Sequence, residues 1–314
     1  MDVPDVSVIV PTFRRPALLR RCLEALQAQT LWGLAGGEII VVDNCPGESA
    51  RHIVHALAAG RVPVNYIAEP RPGISHARNT GVAAARGALV AFVDDDNLVT
   101  ETALSALRAA LEETGCSAAF GRYVAVPETT CPDECRYFLG PYSRELGNVR
   151  KDVTSARAHL GTCLSLFRRP LLTARALPFD PALGLVGGED SALLRELAER
   201  GHRFVFEPEA LGFELVPLSR LNRPALKRRR FRAGQIRVAN AGSASQRLLW
   251  MSIGAVQAAV HAPVAAMAGL LGQKERAETH WGQAWGGLGK LLWQQQRSPF
   301  YGSDAPPASA GTES

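Results

Sequence analysis

Cysteine is sparse in this chain: the 314 residues contain six, and only Cys131 and Cys135 lie close together. With no second close pair there is no four-ligand zinc site, and the scattered thiols are expected to stay reduced. A glycine-rich, basic loop after the first apolar run is also missing, since Pro11-Thr12-Phe13-Arg14-Arg15-Pro16 contains no glycine. That absence counts against the kind of enzyme that cradles a triphosphate on such a loop. No apolar leader precedes the first strand, so a cleavable signal peptide is not expected. Charge of one sign is modest too, formally +5, and much of the excess falls between Arg220 and Arg237.

What is present is a concentration of carboxylates. Ala91-Phe92-Val93 runs directly into Asp94-Asp95-Asp96-Asn97. Adjacent aspartates repel, and their pKa values rise unless a divalent cation or a set of donors offsets the charge. Oxygen ligands of this kind suit Mg²⁺ or Mn²⁺. An acidic turn capping a helix is the plainer alternative.

The flanking pattern frames the triplet. Val6 to Val10 and Glu38 to Val42 are short apolar runs that read as buried strands. Leu18, Leu19, Cys22, Leu23 and Leu26 recur between them at helical spacing behind Pro16. A helical stretch through Ile53, Val54 and Leu57, a strand at Val64 to Ile67 and an Ala-rich helix from Ser75 to Ala85 follow. This alternation predicts a mostly parallel sheet covered on both faces, with ligands beyond the carboxyl ends of its strands. Thr12, Asp43 and the triplet all fall there.

In order along the chain, Val8-Ile9-Val10-Pro11-Thr12-Phe13, Val41-Val42-Asp43-Asn44, Ile74 to Gly81, the triplet and Gly187-Gly188-Glu189-Asp190 resemble the motifs of family 2 glycosyltransferases. The likeness extends to about Gly234. It implies a GT-A fold, Rossmann-like α/β with a mixed, mostly parallel sheet flanked by helices. It also implies transfer of a single sugar, with inversion, from a nucleotide-diphosphate sugar, UDP-linked by preference. The acceptor implied is a hydroxyl of a glycan or a lipid-linked molecule, and the cofactor Mn²⁺ or Mg²⁺.

By the same resemblance Pro11, Thr12, Asp43 and Arg78 serve the donor nucleotide, Asp95 its ribose and Asp96 the metal. Asp190 is the general base, with Glu189 beside it in the donor site. A plainer reading leaves Glu189 and Asp190 as acidic residues in a helix's first turn. A sugar nucleotidyltransferase and an inactive nucleotide-binding module are the alternatives of other kinds.

Arg220 to Arg237 holds eight cations. No nucleic acid is expected there; Arg229 and Arg232 are assigned to donor or acceptor diphosphate, and the absence of Gln-x-x-Arg-Trp argues against a processive synthase. Between Gly121 and Gly161 the chain reads as loop-rich, its aromatics either stacking on sugar or packing the loop.

Leu248 to Gly272 carries no Asp, Glu, Lys or Arg, although Gln257, His261 and Pro263 interrupt it. Peripheral attachment to the inner, cytoplasmic face of a membrane ranks first for it, a spanning helix second and a soluble hairpin third. The expected division is a catalytic domain over 1–242, a membrane-associating helical extension over 243–300 and a disordered tail over 301–314.

Overall fold

The computed structural model describes residues 4–157 and 160–295. The tail assigned to 301–314, and the last residues of the helical extension, lie outside the described residues.

Alternating apolar runs build the expected order: β1 (Val6–Thr12), α1 (Pro16–Gln27), β2 (Gly37–Asp43), α2 (Arg51–Leu57), β3 (Val64–Ala68), α3 (Ile74–Ala84) and β4 (Leu89–Phe92). After these come β5 (Asn97–Val99), α4 (Ala103–Thr114), β6 (Ala118–Pro127), β7 (Lys151–Asp152), β8 (Ser165–Arg168), α5 (Arg169–Thr173), α6 (Glu189–Glu199) and β9 (Phe204–Val216). Three long helices close the order: α7 (Arg223–Ala239), α8 (Ala244–Leu270) and α9 (Lys274–Leu291).

The sheet runs β3-β2-β1-β4-β8-β6-β9-β5, with β7 pairing on β9. β1 pairs in parallel with both β2 and β4, which explains why every residue of β1 is buried. β8 runs antiparallel to β4 and β6, so the sheet is mixed. The register sets Thr12 beside Asp43, and Val93 donates to the Ile9 carbonyl one step past β4. Three strand ends therefore deliver Thr12, Asp43 and the triplet to one edge of the sheet.

Among the described residues the chain divides into two compact units, the first formed by 4–121 and 147–212, the second by 122–146 and 213–295. β6 and β9 run from the first into the second.

In the first unit Phe92 meets Phe167 and Phe179 edge-on at 5.8 and 5.5 Å, and Phe120 meets Phe167 and Phe204 at 5.6 and 5.7 Å. This chain of rings anchors the strand that leads into the aspartates. Truncating Phe92, which is wholly buried, is expected to cost about 3–5 kcal/mol.

The second unit is helical, and its close packing comes from glycine. A Cβ at Gly289 would stand 2.0 Å from the Phe231 carbonyl, and one at Gly287 would stand 2.6 Å from that of Gly254. α9 thus presents bare backbone to α7 and to α8, a contact that membrane helices also exploit. Pro263 lies inside α8 without ending it, so the interrupted apolar run is one continuous helix. In the loop-rich stretch, β6 extends to Pro127, and Tyr142 is buried with Ala125, Val216 and Leu221, Phe138 packing against them. Those two aromatics serve packing.

Candidate active site

The triplet divides between two arginines, and this division organises the site. Asp95 and Asp96 turn to Arg15, whose Nη1 lies 3.2 Å from Asp95 Oδ1 and 2.9 Å from Asp96 Oδ2. Thr12 Oγ1 donates to the other Asp95 oxygen at 2.7 Å. Asp94 turns the other way, to Arg78 Nη2 at 3.5 Å.

Arg78 is 3% exposed and enters from α3. Its Nη1 donates to Glu189 Oε1 at 2.6 Å and to Asp190 Oδ1 at 2.7 Å. Gly187 and Gly188, at φ 80° and 102°, make a turn that a side chain would strain, so that α6 opens on Glu189 and Asp190. Both acids therefore do occupy the helix's first turn, and they also converge on a buried cation. The Thr162 N–H donates to Asp190 Oδ2 at 3.1 Å and fixes the second oxygen.

The electrostatics follow the burial. Desolvation raises Asp94, and it pushes Asp95 to about 7, with Asp96 adding to the rise against the opposing Arg15 charge. Desolvation, then the neighbouring Asp190 charge, push Glu189 well above the carboxylate range. Burial works against an ionised Asp190 as well, but Arg78, a hydrogen bond from Glu189 and the Thr162 N–H hold it below its usual value. The two shifts run in opposite directions, favouring the proton on Glu189 and the negative charge on Asp190. A carboxylate fixed on both oxygens can accept a proton with little reorganisation.

Asp43 is fully buried at the end of β2 and accepts from the N–H groups of Cys45 and Ala50 at 3.0 and 2.7 Å, and from the Tyr66 hydroxyl at 3.3 Å. Pro11 precedes Thr12 in β1. The structure brings Thr12, Arg78, Asp95, Asp96, Glu189 and Asp190 into these linked clusters.

Arg229 and Arg232 lie on α7 in the second unit. There the Arg229 guanidinium donates to the Pro141 carbonyl at 3.0 Å and stacks over Tyr142 at 4.0 Å.

Arg15 and Thr162 were not singled out from the sequence. Arg15 follows the first strand by three residues, a position that brings it to the triplet once β1 and β4 are neighbours. Thr162 contributes a backbone N–H, which leaves no trace in residue identity.

Among the described residues no three His, Cys, Asp or Glu side chains converge as a ready metal cage. Asp95 and Asp96 nevertheless form an oxygen-only pair that already faces a cation, the Arg15 guanidinium. Mg²⁺ and Mn²⁺ are commonly held by one or two carboxylates together with substrate phosphates. These residues fit a metal site that the substrate completes.

Comparison with known proteins places this geometry. The sequence model described as "Glycosyl transferase family 2" matches residues 7–172. The succinoglycan biosynthesis protein ExoM of Rhizobium meliloti is 32% identical over 237 residues, 73% of each chain. A Campylobacter jejuni GalNAc(5)-diNAcBac-PP-undecaprenol beta-1,3-glucosyltransferase is 29% identical over 172 residues, 54% of this chain and 53% of that one.

Among solved structures, the mannosyltransferase PcManGT of Pyrobaculum calidifontis in complex with GDP-Man and Mn²⁺ superposes with a TM-score of 0.60 at 21% identity, over 94% of this chain and 89% of that one. S. aureus TarS in complex with UDP-GlcNAc superposes with a TM-score of 0.54 at 16% identity, over 88% and 89%. At these identities the likeness establishes the fold, which is GT-A.

Proposed function

The chain belongs to glycosyl transferase family 2, and from that premise we propose that it transfers one sugar, with inversion, from a nucleotide-diphosphate sugar to a hydroxyl of a lipid-linked or glycan acceptor. The observation that carries this reading is Asp190, a carboxylate fixed by Arg78 and the Thr162 N–H, in a site where Asp95 and Asp96 turn instead to Arg15. A single displacement needs a base on the acceptor side and charge stabilisation on the leaving-group side. The site supplies the first from Asp190 at the start of α6 and the second from the end of the aspartate run after β4.

Asp190 takes the proton from the acceptor hydroxyl as its oxygen attacks the anomeric carbon, and the bond from that carbon to the diphosphate oxygen breaks. Glu189 keeps its own proton, so the acceptor proton goes to Asp190. Thr12 donates to Asp95, which would accept from the ribose, and Asp96 would hold the metal. Mn²⁺ or Mg²⁺, when bound, offsets the charge developing on the departing diphosphate. Asp43, Pro11 and Arg78 border the donor. A relative named for an undecaprenol-linked substrate and one named for succinoglycan synthesis support an envelope or exopolysaccharide acceptor.

Attachment to the inner face of a membrane is supported by the inverted polarity of α8. Two of its polar residues, Gln257 and His261, face α9, where Gln257 donates to Gln283 at 2.6 Å and His261 meets His280 at 2.7 Å. Its apolar residues face outward, with Leu248 65% and Leu270 84% exposed. α8 is long and apolar enough to cross a bilayer, about 40 Å at 1.5 Å per residue. Burial of its outer face in the interface, with cations of α7 against anionic headgroups, is the arrangement favoured here.

A donor-hydrolysis screen across UDP-, GDP- and dTDP-sugars, with Mn²⁺, Mg²⁺ or chelator, tests the catalytic reading. Metal-dependent turnover of one donor class is expected. Absence of turnover with every donor and metal, from protein that is folded, would overturn it.

A further inference from the structure

Arg15 is the cation that faces Asp95 and Asp96, and no role in transfer has so far been given to it. Its guanidinium lies within 3.2 Å of both carboxylates through one nitrogen, Nη1, and its side chain remains 32% exposed while that of Asp95 is nearly enclosed. The arginine is also held at a turn: Arg14 adopts φ 55°, and Arg15 is the N-cap of α1, which begins at Pro16. Its backbone is therefore fixed at the end of β1, while its long side chain keeps the freedom to move outward.

A guanidinium and a hard divalent ion compete for the same carboxylate oxygens, and two cations a few ångströms apart repel strongly in a partly desolvated site. We propose that Arg15 is a resident counter-ion of the triplet that keeps the empty site from loading a free divalent cation, so that the metal enters only together with a nucleoside diphosphate. This rests on the metal reading of Asp96 given above. The diphosphate brings enough negative charge to balance the metal and the guanidinium at once, and Arg15 swings from the carboxylates toward solvent or the phosphates. Arg15 is in this sense a positioning residue that acts through Asp95 and Asp96. Arg78 cannot take its place, because its guanidinium is enclosed and already shared by Asp94, Glu189 and Asp190.

The consequence is an order of binding. Wild-type protein should bind Mn²⁺ weakly by itself and markedly better with UDP or GDP, whichever nucleotide it accepts. Removing the charge in Arg15→Gln should strengthen binding of Mn²⁺ alone by about tenfold or more, and should shrink the enhancement by nucleotide. Arg15→Lys keeps a charge at the same place and should stay close to wild type, which separates charge from a general effect on the fold.

The experiment is titration of Mn²⁺ by electron paramagnetic resonance of the free ion, in the absence of donor and then with saturating UDP or GDP, on folded wild type, Arg15→Gln and Arg15→Lys. Tighter binding of Mn²⁺ alone to Arg15→Gln only, with Arg15→Lys near wild type, is the expected result. Equal affinity in all three proteins, with nucleotide still enhancing Mn²⁺ binding, overturns the role of Arg15 and leaves the metal site standing. If Arg15→Lys behaves as Arg15→Gln does, shape rather than charge is responsible and the proposal is likewise overturned. If none of the three binds Mn²⁺ with or without nucleotide, the metal reading itself fails, and the counter-ion role falls with it.

Discussion

Arg78 donates to Asp190 across 2.7 Å from a guanidinium that is itself buried. The residue proposed as base is thus kept ionised by a partner that also lowers its basicity. Burial alone raises the Asp190 pKa, and the Arg78 charge is the foremost interaction that opposes it. The pairing trades some basicity for the correct charge state, and it fixes the direction in which the carboxylate points.

Loss of that cation should therefore be structural as well as catalytic. Arg78→Ala leaves Asp94, Glu189 and Asp190 without their shared buried donor, and a cost of about 3–5 kcal/mol is expected. Chemical denaturation of the variant measures it. A change below 1 kcal/mol, on the order expected for an exposed pair, would mean that the cluster is solvated.

Glu189 yields a pH prediction with a definite sign. Its folded pKa lies well above that of an unfolded glutamate, so the folded state holds a proton that the unfolded chain has released. That contribution is complete below the ordinary glutamate range and is lost as pH rises toward the raised folded value. Glu189→Gln mimics the protonated form and should flatten the decline of Tm with rising pH, the residual slope belonging to Asp94 and Asp95. Thermal melts from pH 4 to 9 decide it, and identical slopes for variant and wild type would refute the protonated Glu189.

Asp96→Ala should abolish metal-dependent donor turnover while leaving the fold intact, because its partner Arg15 stays paired with Asp95. Circular dichroism checks the fold, and donor hydrolysis with and without chelator checks the activity. Full activity of the variant, or of wild type in chelator, removes the metal assignment.

The outer face of α8 makes a separate prediction. Leu249, Val256 and Val260 are 58%, 64% and 53% exposed, so replacing all three with Gln should leave the helical unit folded and reduce co-sedimentation with anionic vesicles several-fold. Raised salt should weaken wild-type binding in part. Retention in the pellet through alkaline extraction points instead to a spanning helix, and indifference to vesicles points to a soluble hairpin.

Much of the catalytic unit was legible in the sequence because its strands are short, apolar and punctuated. Val6 to Val10 and Glu38 to Val42 are readable as buried strands without knowledge of their partners, and the parallel order then places Thr12, Asp43 and the triplet together. What could not be read was pairing between distant side chains. Arg78 is expected at the donor, but that α3 also turns it into the carboxylates of α6, Glu189 lying 111 residues away, has no sign in the sequence. Arg15 has no sequence signal of its own, and its pairing with Asp95 and Asp96 depends on β1 and β4 being neighbours. The glycines of α9 likewise mean little in a sequence, and their role becomes visible only where a Cβ would strike the backbone of Phe231 or Gly254. In the basic stretch, Arg229 stacks on Tyr142, Lys227 on Trp285 and Arg237 on Trp250. Cations that pack against rings cannot be told from cations that wait for a ligand by composition.

The central claim is that Asp190 is the base of a direct displacement, and Asp190→Asn tests it most directly. The substitution keeps shape and one of the two accepting oxygens, which face Arg78 and the Thr162 N–H, but cannot accept the proton. With the donor class that wild type turns over, measured at saturation with metal present, kcat should fall by about 10²–10⁴, while the donor Kd from calorimetry changes little. A normal kcat at saturation accompanied by a collapsed donor affinity would contradict the account and make Asp190 a binding residue.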